Sequence, residues 1–140
     1  MINQFPDAIM ERFRIVVSND LTALIRLRIQ STGTNADGGS FKEYAEITKQ
    51  IRQSRGMQTN FKDFTFTGEM WRKFGEKSFS KGSQKLSVTI GGKSQSAEKK
   101  INDNTEREGI SIIAPSDDEL KKTEEILIDE IDKYISSIGV

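Results

Sequence analysis

The chain has no cysteine and no histidine. The first absence excludes disulfides, thiol nucleophiles and cysteine-based zinc or iron–sulfur sites. The second excludes a Ser–His–Asp triad, imidazole-held metals and the side chain that ordinarily titrates near neutrality. Carboxylates, lysines and hydroxyls are left for catalysis, and no set of them stands at a spacing that names a reaction. The chain is therefore expected not to be an enzyme and to hold no cofactor or metal. A divalent ion would find only carboxylates and carbonyls, which suit calcium or magnesium rather than zinc. Long apolar runs are missing too. Ile110–Pro115 is broken by Ser111 and is far too short to cross a bilayer. Met1–Pro6 has neither a basic start nor an apolar stretch, so no secretory signal is expected and a cytoplasmic location is. Neither sign of charge is in excess, since 21 basic residues balance 21 acidic ones. Zero net charge argues against polyanion binding over the whole surface and leaves little repulsion between copies.

What is present suits one domain, residues 1–140, with a modest core: 34% of the residues are hydrophobic and 11 are glycine. Apolar residues at Ile9, Phe13, Val16 or Val17, Leu21, Leu24 and Ile25 recur at threes and fours, which predicts an N-terminal helix with Asp7 as its cap. Ile25, Leu27 and Ile29 alternate with polar residues like a strand, but the length of the pattern favours helix. Ser18-Asn19-Asp20 could break it in two. Residues 31–40 are nearly all turn formers, and 31–60 as a whole reads as a long loop or extension with at most a turn or two of helix between Phe41 and Ser54. Met70, Trp71 and Phe74 share a face of a short helix capped by Thr67. Strands are predicted at Ser78–Ser80, at Lys85–Ile90 with Leu86, Val88 and Ile90 inward, and at Gly109–Ala114; Gly82-Ser83 turns between the first two. One helical turn is expected near Ala97–Ile101. Ser116 with Glu119 forms a capping box for a closing helix whose stripe is Leu120, Leu127, Ile131, Tyr134, Ile135 and Ile138, stopped by Gly139. The fold class is α+β: an N-terminal helix, a small antiparallel sheet and a long C-terminal helix.

Candidate sites are few. Gly33–Gly39 lacks the Gly-Lys-Ser/Thr ending of a phosphate loop. Counted as a calcium loop from Asn35, the same stretch has Ser40 where glycine is required. The pairs Asp117-Asp118 and Glu124-Glu125 read as a solvated helix face. Between Phe61 and Lys85, aromatics alternate with cations, the composition of a single-stranded nucleic-acid module. Acids mixed among them favour the plainer reading, in which Phe66, Trp71 and Phe74 form the core.

An ordered series of short elements resembles the phage virion morphogenesis, or tail-completion, family. It runs Ile29-Gln30-Ser31-Thr32-Gly33, Asp37-Gly38-Gly39-Ser40-Phe41, Tyr44-Ala45, Thr48, Arg52 and Arg55-Gly56, then Thr67-Gly68-Glu69-Met70 and Phe74-Gly75. Arg107, Ile110–Ile113 and Ser116-Asp117-Asp118 through Ile138 close it. Phe41 stands where the family has tryptophan, and Met70 where it has leucine. The resemblance implies a structural virion protein, assembled in the host cytoplasm into a cyclic ring of six or twelve copies. It would sit at the neck or head-proximal tail end, between other neck and tail proteins, with DNA passing through but not recognised by sequence and with no membrane involved. In such a ring the 31–60 segment, with little to bury within one copy, would be ordered by its neighbour. Phe41, Tyr44, Ile47 and Ile51 would then be apolar anchors, with Lys42, Arg52 and Arg55 at the rim.

Overall fold

A computed structural model of the protein describes residues 5–82 and 84–139. The architecture is α+β. Helix α1 (Asp7–Ile15) runs through a π-helical turn (Val16–Leu21) into α2 (Thr22–Thr32), followed by α3 (Glu46–Ser54) and α4 (Glu69–Arg72). A β1 (Phe74–Lys81) to β2 (Leu86–Gly92) hairpin, α5 (Gln95–Glu108) and α6 (Asp117–Ser137) complete the order. Residues 25–30 are helical, as the length of the pattern predicts. Pro6, not Asp7, occupies the first cap, and it offers no side-chain acceptor. The suspected break at Ser18-Asn19-Asp20 is the π turn, where the Thr22 hydroxyl bonds back to the Ser18 and Asn19 carbonyls at 2.6 and 3.2 Å. The chain stays helical there, and Gly33 ends it in the left-handed conformation at φ 64°. A Cβ at Gly33 would also meet the Phe61 ring at 2.7 Å.

The core gathers Leu21, Ile25 and Ile29 with Phe41, Met70, Trp71, Phe74, Ile101 and Ile112. Trp71 and Phe74 meet edge to face at 5.6 Å, and the Trp71 indole donates to the Asp63 carbonyl at 2.9 Å. Phe66, expected in this core, is 47% exposed.

Several elements differ from expectation: α3 fills nine residues of the expected loop, Phe74 opens β1 instead of sharing the short helix with Met70 and Trp71, and α5 and Gly109–Ala114 depart further. Ser94–Glu108 holds the whole of α5 rather than one turn, because Ser94 caps it by accepting from the Ala97 N–H at 3.1 Å. Only Ala97 and Ile101 of α5 are buried, so the apolar signal is faint. Gly109–Ala114 is not a strand. Its amides bond to nearby hydroxyls, Ile112 N–H to Thr105 and Ile113 N–H to Ser111, and Ile112 plugs the core as an irregular link.

Among the described residues the sheet is therefore a single antiparallel pair, longer than predicted on the β1 side. Its register runs from Phe74↔Gly92 to Lys81↔Leu86, with a bulge at Lys77. Leu86, Val88 and Ile90 alternate with more exposed neighbours as expected, but of the three only Ile90 packs against the core; of the predicted Gly82-Ser83 turn, Ser83 lies outside the described residues. The root of the hairpin is anchored where Gly92 lies so close to α5 that a Cβ would come within 2.3 Å of the Glu98 nitrogen.

Candidate interaction surface

The residues expected to meet a neighbour between Phe41 and Arg55 divide into two groups. Phe41 is buried in the core, edge to face with Phe64 at 4.9 Å. Arg52 is 2% exposed; its guanidinium bonds the Gln58 and Thr65 carbonyls, pairs with Asp63 at 3.2 Å and stacks on the Tyr44 ring. The Tyr44 hydroxyl donates to Asp63 at 3.0 Å and accepts the N–H groups of Asp63 and Phe64. Burial, then the Asp63 carboxylate, pushes the Tyr44 hydroxyl up to about 12. Phe64 is held at φ 58° by these contacts, a conformation rare for an aromatic residue. Phe41, Tyr44 and Arg52 therefore tie the 31–60 segment to its own chain. The periodicity of the segment does not reveal this, because the central anchor is a cation whose partner lies 11 residues further on.

Ile47, Ile51 and Arg55 do reach the surface, Ile47 at 64% and Ile51 at 42% exposure. Arg55 caps the exposed Phe66 ring at 4.4 Å.

A larger apolar surface lies on α6. The capping box is present in full: the Ser116 hydroxyl accepts the Glu119 N–H, and the Glu119 carboxylate accepts the Ser116 N–H. Glu119 also pairs with Arg28 of α2 at 3.0 Å, and Arg12 of α1 lies over the Tyr134 ring. The inner face of the helix is Glu119, Thr123, Leu127 and Tyr134, which are buried or half-buried. The predicted stripe is thus only partly covered. Ile128, Ile135 and Ile138 are 42–53% exposed, and with half-buried Ile131 they form a row at spacings of three and four; Leu120, 46% exposed, is set apart from it by the exposed Glu124. Polar Glu119 and Thr123, which no hydrophobic pattern selects, take the inner positions.

On the other side of α1 and the π turn, a groove of about 500 Å³ separates them from β1. Arg14 crosses it to Glu76 with two bonds of 2.8 and 2.7 Å, and the Ser18 hydroxyl adds a third. Arg14 holds the Glu76 carboxyl below the usual carboxylate range. The aromatic–basic segment 61–85 presents no row of open rings, since Phe64, Trp71 and Phe74 pack in or against the core. Among the described residues no acidic cluster is arranged to hold a metal ion, and no helix is long and apolar enough to cross a membrane. No family model matches the chain, and neither a curated protein nor a solved structure matches it.

Proposed function

We propose that this protein is a structural subunit that associates with copies of itself into a closed ring, of the kind that joins head to tail in tailed phages. The observation that carries the reading is the uncovered isoleucine row of α6. A contiguous apolar row on an otherwise charged helix is a contact surface for another macromolecule, not a feature a monomer needs. Zero net charge permits dense packing of copies, and the ordered resemblance to the tail-completion family supports a place at the head–tail junction. Particle mass by light scattering, with electron microscopy of the same sample, tests the assembly. Rings of constant copy number are expected from the native chain. Ile128→Asp with Ile135→Asp is expected to give folded monomers. A native chain that stays monomeric at every concentration overturns the ring, and antibody labelling of virions away from the head–tail junction overturns the location.

A further inference from the structure

We infer that the open row of α6 is covered by the β1–β2 hairpin of a second copy of this chain, in a head-to-tail contact; the inference rests on the ring reading above. Zero net charge conceals a strong segregation. The hairpin, residues 74–92, carries Lys77, Lys81 and Lys85 against the single acid Glu76, whereas α6 carries eight acids against three bases. Opposite surfaces of this kind attract between copies and set their orientation.

The hairpin has the form of an arm. Phe74, Gly75, Gly91 and Gly92 are buried at its root, but from Lys77 to Thr89 no described residue is buried. A two-stranded hairpin is marginal by itself, and both of its edges are open to pairing or cover. Phe79, Leu86 and Val88 are half-buried, which leaves apolar surface beside the exposed Lys81 and Lys85. Among the described residues neither lysine makes an ion pair, and neither do Glu125 and Asp132, which flank the open row of α6. Reach also fits. The strand from Lys77 to Lys81 spans about 13 Å. The helix from Ile128 to Ile138 spans about 15 Å.

The root of the hairpin and α6 both pack on α1 and the π turn, and neither strand packs extensively on α6. An arm therefore meets the α6 of a neighbour rather than its own. Such a contact is heterologous and closes into a ring when its rotation divides the circle.

Two variants test this at low salt, with folding checked by circular dichroism. K81E/K85E makes the arm acidic, and E125K/D132K makes that flank of α6 basic. Each alone should associate about tenfold more weakly than the native chain or worse, the scale of close charge pairs across interfaces. Mixed in equal amounts, they restore opposite charges at every contact and should assemble alternately. Variants that each assemble like the native chain, or a mixture that stays dissociated, overturn the inference while native rings keep the proposed function. A native chain that does not associate overturns both. Because the chain lacks cysteine, a second measurement is independent of charge. Oxidising Lys85→Cys mixed with Ile135→Cys should give the mixed cross-link. Cross-linking of Ile135→Cys to itself alone would show a symmetric α6 pair and overturn the head-to-tail contact, as would lysine-dependent binding of single-stranded DNA without any cross-link.

Discussion

Tyr44, Arg52 and Asp63 form a small polar centre whose members depend on one another. Removing the Tyr44 hydroxyl leaves two backbone N–H groups without their acceptor. Tyr44→Phe should therefore cost about 1–3 kcal/mol in urea melts. The raised Tyr44 value sets a sign for pH. The folded state holds the proton more tightly, so this contribution is intact below pH 10 and is lost as pH rises from 10 towards about 12. The alkaline loss of stability should be shallower in Tyr44→Phe. Arg52→Met strands Asp63 beside a dry guanidinium site, and should cost roughly 3–5 kcal/mol. If Arg52→Met melts like the native chain, the pair does not anchor the segment. Glu76 runs the other way: its lowered value stabilises above the ordinary carboxylate range and is lost as pH falls through the folded value. Glu76→Gln should flatten the acid side of the stability profile, an effect that salt weakens because the pair is exposed.

Among the elements, α6 shows most clearly how a helix is read from its sequence and then corrected by its neighbours. Ser116→Ala removes one acceptor of the capping box and should cost about 0.5–2 kcal/mol. The stripe does not respond uniformly. Leu120→Ser, at an uncovered position, should change the stability of the monomer by no more than about 0.5 kcal/mol. Ile112→Ala, in the link before the helix, should cost roughly 2–5 kcal/mol, since Ile112 is 1% exposed. Chemical denaturation of the three variants checks the order; Leu120→Ser as the worst would mean that the two faces of α6 have been exchanged. Amide exchange should also find α3 protected in dilute protein, because Arg52 and Phe41 bind it to the chain rather than to a neighbour.

At the scale of the whole molecule, the charge pattern matters more than its sum. A basic arm and an acidic helix on a neutral chain predict association that weakens as salt rises, since exposed charges are screened over about 10 Å at 0.1 M ionic strength. Apolar cover on α6 would leave a salt-insensitive remainder. Sedimentation at low and high ionic strength should separate the two contributions, and association that strengthens steadily with salt would assign the contact to the apolar row alone.

Local chemistry makes several features legible in the amino-acid sequence alone. The Ser116–Glu119 box, Gly33 after α2, the Leu86–Val88–Ile90 alternation and the α+β class follow from side chains interacting with residues a few places away. Features that depend on distant partners are not legible there. Arg52 looks like a surface cation until Asp63 and Thr65 fold over it, and α5 looks like a polar linker until its few buried residues meet the core. Gly109–Ala114 reads as a strand from its isoleucines, yet among the described residues no third ladder takes it, and hydroxyls satisfy the Ile112 and Ile113 amides instead. The stripe of α6 belongs to the sequence, but which half of it meets the body was decided by Arg12 and Arg28 pulling Tyr134 and Glu119 inward. Helical periodicity fixes the angular positions of side chains, whereas burial depends on which surface arrives to cover them.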